Sequence, residues 1–146
     1  MLLKVLVADT PNAFRQRILE TLNRVDSNLE TFVADDGRLA MNELTGFTPD
    51  AAIIGTGLED VYCFEICDYM RSKEGLKDAR IIFASELHPA AWNCGQPESL
   101  HGADAWLSNS ASDDELSLEL TRQLQDIREN QLVAASSSAT HGHETE

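Results

Sequence analysis

Positively charged residues are scarce in this chain of 146 residues, in which 11 Lys and Arg stand against 25 Asp and Glu and the formal net charge is -14. Nucleic acids and anionic membrane surfaces both carry dense negative charge, so this imbalance opposes close binding to either. We therefore expect protein partners, with no nucleic acid and no membrane among them.

Cysteine is also scarce, with three residues, Cys63, Cys67 and Cys94, in a chain that is 42% hydrophobic. A domain of this size forms a core without disulfides, and an odd number of thiols favours a reducing compartment. No apolar run approaches the roughly 20 residues that span a bilayer. The first residues resemble a strand rather than a signal peptide. We expect a cytoplasmic protein.

A tight metal-binding pattern is absent. Cys63 and Cys67 lie one helical turn apart, and His88, Cys94 and His101 fall together in one irregular segment. These spacings match no zinc pattern, and buried cysteines usually pack as small hydrophobic groups. We expect no metal site from these five residues, and no specific role for the two histidines of the tail, His141 and His143.

Short apolar runs alternate with helical patterns along the chain. The predicted strands are residues 3–8, 30–34, 80–84 and 104–107, together with a central apolar run within residues 50–60 that stops at two glycines. Strands that alternate with helices form parallel sheets with right-handed crossovers and helices on both faces. The sequence therefore predicts an α/β fold, a three-layer doubly wound sandwich with a five-stranded parallel sheet.

Local signals predict where the helices begin and where order ends. Thr10 is the expected N-cap of the first helix, with Pro11 at its first position, and Asp60 the expected cap of the third. The pattern from Ser112 to Glu115 predicts a capping box that opens a long last helix. We expect one domain over residues 1–132 and a disordered, Ser-rich acidic tail over residues 133–146.

The segment at residues 86–101 contains Pro89, Gly95 and Pro97. Proline and glycine both oppose a regular helix. We therefore predict a short or broken fourth helix.

The central strand ends at Gly55, which has no side chain. Open α/β sheets bind ligands beyond the carboxyl ends of their central strands, so a functional side chain is expected at this position. The most informative absence in the sequence is thus the absence of a reactive group at the end of the third strand.

Seven segments together resemble the receiver domain of bacterial response regulators, in that family's order and near its spacing, over residues 3 to about 127. They are Lys4-Val5-Leu6-Val7-Ala8-Asp9, Ala34-Asp35-Asp36-Gly37 with Ala40-Met41, Pro49-Asp50, Phe64-Glu65-Ile66-Cys67, Ile81-Ile82-Phe83, Gly102-Ala103-Asp104 and Glu115-Leu116. The resemblance implies a flavodoxin-like sheet with strand order 2-1-3-4-5.

Receivers accept a phosphoryl group from a histidine kinase on an aspartate that ends the third strand. The resemblance aligns Gly55 with this acceptor, Asp9 with the first of two Mg²⁺-binding acids, and Thr10 with the second. Ser85 keeps the hydroxyl that ends the fourth strand, and Asn109 stands where the family has lysine. Without a carboxylate nucleophile no acyl phosphate forms at this site, and Asp9 alone is a poor Mg²⁺ ligand set.

These departures predict a pseudo-receiver, a non-enzymatic signalling module without a cofactor that binds proteins and is not phosphorylated on aspartate. The resemblance implies a working surface made of the fourth helix, fifth strand and last helix, with Trp92, Trp106 and Leu107 as candidate contacts. For Trp106, a half-buried core ring is the alternative. Residues 127–132 of the last helix are a candidate homodimer seam.

Two other functions stay open at this point. The chain is a phosphorelay receiver if Asp60 or Thr56 replaces the missing acceptor. It is a small-molecule sensor if a ligand occupies the pocket around Asp9, Gly55, Ser85 and Asn109.

Overall fold

The computed structural model describes residues 2–85 and 102–144, with side chains described as far as residue 135. The predicted broken helix at 86–101, which includes Trp92, lies outside the described residues. The elements in chain order are β1 (Leu3–Ala8), α1 (Ala13–Val25), β2 (Leu29–Ala34), α2 (Gly37–Leu44), β3 (Ala51–Gly55), α3 (Cys63–Ser72), β4 (Arg80–Ser85), β5 (Ala105–Ser108) and α4 (Asp113–Glu144).

The five strands form one parallel sheet in the order β2-β1-β3-β4-β5, which confirms the predicted flavodoxin-like topology. All five residues of β3 are buried, because β3 lies at the centre of the sheet with helices on both faces. The edge strand β2 is more polar and buries only its last residue, Ala34.

Side chains on the two faces of the sheet form two separate cores. On one face Leu6, Ile54 and Phe83 pack with α2 and α3. On the other face Val5 and Ile53 pack with α1 and α4. The two sets alternate along each strand, as the two-residue period of an extended chain requires. Burial on both faces explains why the sequence of the central strands is continuously apolar.

The helix caps agree with the sequence at α4 and differ at α1. The N–H of Ser112 donates to Glu115 Oε1 at 2.9 Å and the N–H of Glu115 donates to Ser112 Oγ at 3.1 Å, which confirms the capping box. The expected cap of α1, Thr10, is wrong. Asn12 caps this helix by accepting from the N–H of Arg15 at 2.7 Å, because α1 begins at Ala13, beyond the proline.

The last helix, α4, has 32 residues and crosses the whole domain. Near the amino edge of the sheet Arg128 pairs with Asp26 at 3.1 Å, and Gln131 Nε2 donates to Asp50 Oδ1 at 2.9 Å. The backbone stays helical to Glu144, whereas the sequence predicts a disordered tail from residue 133. Extending an existing helix is far easier than nucleating one, and two alanines, at 134 and 135, favour extension. The boundary of the domain at residue 132 stays a prediction.

No helix in the part of the chain that the structure describes is both long and apolar enough to cross a membrane.

Candidate functional site

The carboxyl end of β3 meets the end of β1, and this meeting brings Asp9 against Gly55. Ala8 pairs with Ile54 in the sheet, so the next residue of each strand stands side by side. A Cβ atom added to Gly55 would lie 2.6 Å from Asp9 Oδ2 and closer still to Cγ and Oδ1. The carboxylate of Asp9 therefore occupies the space into which a side chain at position 55 would extend.

Local hydrogen bonds support Asp9 in this position. Its side chain is buried, with 7% of the residue exposed, and Oδ1 accepts from the N–H of Thr10 at 2.8 Å. Arg15 Nη1 donates to the carbonyl oxygen of Asp9 at 3.0 Å and also pairs with Asp35 at 2.6 Å. Arg15 thus ties the end of β1 to the end of β2.

The other predicted pocket residues lie at the same edge of the sheet but differ in orientation and exposure. Ser85 is buried at the end of β4, and its carbonyl accepts from the N–H of Asn109 at 3.0 Å. Asn109 is exposed and its side-chain oxygen accepts from Arg17 Nη1 at 2.9 Å. Thr10 is exposed. The structure therefore brings Asp9 and Gly55 into contact, while the Asn109 side chain bonds to α1.

Arg17 is the residue at this edge that the sequence does not reveal. Its guanidinium donates to the carbonyl oxygens of Asn109 (3.0 Å) and Ala111 (2.8 Å), besides the Asn109 side chain. It also pairs with Asp113 at 2.9 Å. The helical period places Arg17 only on the solvent side of α1. No pattern in the sequence indicates that the loop between β5 and α4 folds over this side chain.

Asp60 does not cap α3, as the sequence predicts, but bonds to the first turn of α2, whose N-cap is Asp36. Its carboxylate accepts from the N–H groups of Arg38 (2.9 Å) and Gly37 (3.0 Å). These hydrogen bonds, that from Arg38 first, lower the pKa of Asp60 below its usual value. The start of α2 packs closely against the loop that contains Asp60, since a Cβ atom on Gly37 would lie 2.7 Å from Val61 Cβ. The loop after β3 lies against the start of α2, and α3 has no side-chain cap.

Thr56, the other candidate acceptor, follows Gly55 directly. Its N–H donates to the carbonyl of Ala84 at 2.9 Å, and the residue is half-buried. This bond extends the pairing of β3 with β4 by one residue.

The residues at this edge do not fit a receiver-type Mg²⁺ site. The carboxylate of Asp9 fills the acceptor's place, Gly55 offers no oxygen from a side chain, and Thr10 is neutral and exposed. Mg²⁺ requires near-octahedral oxygen ligation, which this set does not supply. Among the residues described, no three His, Cys, Asp or Glu side chains lie close enough together to hold a metal ion.

The candidate metal-binding thiols of α3, Cys63 and Cys67, are buried in the core that α2 and α3 cover. Burial is the main cause that raises the pKa of the Cys67 thiol, which keeps it protonated. His88, Cys94 and His101 lie outside the described residues.

Of the three candidate contacts for a partner protein, the structure describes two, Trp106 and Leu107. Trp106 is half-buried and packs against the core that α2 and α3 cover. Leu107 is 2% exposed and packs in the opposite core, so its assignment to a partner surface is wrong. Side chains alternate across β5, and the side of Leu107 faces α4. Trp92 is not among the described residues.

Comparison with solved structures finds the same architecture in receiver domains, whereas no protein-family model and no curated protein matches the sequence. The chemotaxis response regulator CheY4 of Vibrio cholerae superposes with a TM-score of 0.67 at 23% identity, covering 87% of this chain and 99% of that one. The receiver domain of an HD domain-containing protein from Pseudomonas fluorescens Pf-5 gives 0.71 at 17% identity over 88% and 99%.

A receiver domain of a signal transduction histidine kinase from Syntrophus aciditrophicus gives a TM-score of 0.65 at 18% identity, over 85% of this chain and 91% of that one. Identities this low carry the fold and not the chemistry of the site. The chain has the fold of response-regulator receiver domains.

Proposed function

We propose that this chain is a pseudo-receiver, a cytoplasmic and non-enzymatic signalling module that acts by binding protein partners and is not phosphorylated on aspartate. The observation that carries the proposal is the position of Asp9 against Gly55. An acyl phosphate needs a carboxylate at the end of β3, and the space for that side chain is filled by a carboxylate from β1.

The surrounding residues support the same conclusion. Asn109 is neutral and bonds to Arg17, so no ammonium group is available at this position to offset phosphoryl charge. Asp9 is the one acid retained of the family's ligands, and we expect Mg²⁺ to bind weakly or not at all. Signalling by this chain then depends on the presence and affinity of its partners.

The contacts of the substitute acceptors argue against the phosphorelay alternative. Both oxygens of Asp60 accept backbone N–H groups at the start of α2, so an acyl phosphate there would remove these hydrogen bonds. Thr56 has a neutral hydroxyl, which is a weak nucleophile at its ordinary pKa. The sensor alternative is disfavoured because Asp9 already fills the space beside Gly55.

The test is the intact mass of the full chain after incubation with Mg²⁺ and acetyl phosphate, with a receiver domain that carries the acceptor aspartate as the positive control for phosphorylation. We expect an unchanged mass for this chain. A stoichiometric phosphoryl adduct would overturn the proposal, and fragmentation of the modified protein would identify Asp60, Thr56 or another residue as the acceptor. Isothermal titration with MgCl₂ tests the metal expectation on the same sample.

A further inference from the structure

A cleft of about 360 Å³ opens at the amino-terminal edge of the sheet, at the opposite end from Asp9 and Gly55. The loops before β3 and β4 form one wall, and α4 forms the other with one helical face, Ile127, Asn130, Gln131 and Ala134. These four positions recur at the spacing of a helix face. The volume falls in the range of pockets that bind small groups.

Two side chains fix the shape of the cleft. Asp50 accepts from the N–H of Lys4 at 2.8 Å and from Gln131 Nε2 at 2.9 Å, and so tethers α4 to the sheet edge. Arg80 donates to Gln123 at 2.9 Å and forms an ion pair with Asp126. The walls are therefore held by hydrogen bonds within the protein, and the positive charge of Arg80 is neutralised.

Three polar side chains of the lining are available to a ligand. Thr48, Asp78 and Asn130 are exposed, and within the described ranges none of them makes a side-chain hydrogen bond or ion pair. Among the described residues Asp78 has no cationic partner, and the two groups that donate to Asp50 are both neutral. The cleft thus presents negative charge and several acceptor oxygens.

The rest of the lining is apolar. Pro49, Ala79 and Ile127 are buried or nearly so, and the methyl group of Ala134 lies on the same helical face. A group with an alkyl stem and a cationic end matches this combination, because the stem covers the apolar floor while the charged end meets Asp78.

We propose that this cleft receives a Lys or Arg side chain from a basic segment of a partner protein. The net charge of -14 supports a protein with a basic surface, since a chain so acidic attracts such partners over long range. The proposal rests on the proposed function in that the partner is a protein. It further specifies that the partner is recognised through a basic side chain, and that the contact lies at the amino-terminal edge of the sheet.

The test is a titration of the full ¹⁵N-labelled chain with the peptide acetyl-Leu-Arg-Leu-amide, observed at the side-chain amides of Asn130 and Gln131. We expect saturable shifts of these amides. A second peptide with citrulline in place of arginine keeps nearly the same shape, removes the charge and replaces one NH₂ donor group by a carbonyl oxygen, and it should not bind.

Variants of the protein locate the contact. Asp78→Asn should weaken binding of the arginine peptide by about fivefold, as expected for the loss of one exposed ion pair. Ala134→Phe should block the cleft. The control is Asp114→Asn, which makes the same charge change at an exposed position in the first turn of α4, at the other end of the domain. It should leave binding unchanged.

Equal weakening by Asp78→Asn and Asp114→Asn would overturn the proposal, because the attraction would then be diffuse. Absence of saturable shifts, or shifts away from the cleft, would do the same. Free arginine amide that binds as tightly as the peptide would indicate a small cation as the occupant and not a protein segment. None of these results depends on phosphorylation, so the failure of this proposal and of the pseudo-receiver proposal are distinguishable.

Discussion

Arg17 on α1 donates from Nη1 to the side-chain oxygen of Asn109 at 2.9 Å, and so joins α1 to the loop that leads from β5 into α4. The resemblance to receivers implies a lysine at position 109. Here the amide accepts a hydrogen bond from an arginine outside the acceptor site, and the same guanidinium binds Ala111 and Asp113. Arg17 thus contacts three residues between the end of β5 and the start of α4.

Replacing Arg17 by alanine should therefore destabilise the protein and loosen this loop. Several hydrogen bonds to one charged and partly exposed group are lost, so we expect a decrease of about 1–2 kcal/mol in the free energy of unfolding. Urea denaturation measures the stability. Hydrogen exchange measures the loop, and the amides of residues 109–113 should exchange faster.

Arg24→Ala is the matched control, because Arg24 lies on the same helix and, among the described residues, its side chain donates one hydrogen bond, at 2.8 Å, to Ser117 Oγ. We expect a change of only a few tenths of a kcal/mol and no change of exchange at 109–113. Equal effects of the two substitutions would mean that the contacts of Arg17 with residues 109–113 do not stabilise this loop.

A second prediction concerns Gly55→Ala. The new methyl group would overlap the carboxylate of Asp9, which is buried and hydrogen-bonded, so we expect a loss of about 1–3 kcal/mol in the free energy of unfolding. Gly57→Ala is the control, since a Cβ there meets no atom within 4 Å. Urea denaturation of both variants measures the difference.

A double substitution tests whether overlap with Asp9 causes the loss of stability in Gly55→Ala. In an Asp9→Ala background the cost of Gly55→Ala should fall, because the group that collides with the methyl is gone. A cost that stays the same in both backgrounds would place the strain elsewhere.

Sequence patterns predicted the sheet because its signal is distributed over many residues. Each central strand is continuously apolar and each crossover contains a helix period, so an error at one residue leaves the topology unchanged. The sequence also shows directly that position 55 has no side chain. It does not predict that Asp9 fills the space beside Gly55, because the rotamer of Asp9 and its approach to β3 depend on packing between two strands that lie far apart in the chain.

A third prediction is that Gly55→Asp alone does not restore phosphorylation. A carboxylate at position 55 would be placed against that of Asp9, and like charges at this distance repel strongly. We expect a protein less stable than Gly55→Ala and no phosphoryl adduct with acetyl phosphate and Mg²⁺. Intact mass is the measurement, with a receiver domain that carries the acceptor aspartate as the positive control. A stoichiometric adduct on residue 55 would mean that Asp9 moves aside readily.

The helix caps show that the sequence predicts contacts between residues close in the chain and does not predict contacts between distant ones. The capping box at Ser112 uses residues three positions apart, and it was predicted correctly. The role of Asp60 was predicted wrongly, because its partners, Gly37 and Arg38, lie more than twenty positions earlier in the chain. Local spacing favours the helix that follows an acidic residue, and only the folded chain determines which helix start is nearest.

The link between Asp60 and α2 predicts a pH dependence of stability. The pKa of Asp60 is lowered in the folded protein from an ordinary value of 3.8, chiefly by the N–H of Arg38. A carboxylate with a lowered pKa stabilises the fold above its unfolded pKa, and this contribution is lost as the pH falls through the folded pKa. Asp60→Asn should therefore lower the melting temperature at pH 7, and the difference from the unsubstituted chain should shrink as the pH falls below about 4.

Thermal unfolding of both proteins from pH 7 to pH 3 measures this convergence. Glu115, whose pKa is also lowered, by hydrogen bonds from Ser112, is present in both proteins, so its titration cancels in the difference. Glu59→Gln is the control, because Glu59 is exposed and makes no hydrogen bond or ion pair within the described part of the chain. Its melting curve should follow that of the unsubstituted chain at every pH. If Asp60→Asn does so too, the carboxylate does not hold the loop after β3 to the start of α2.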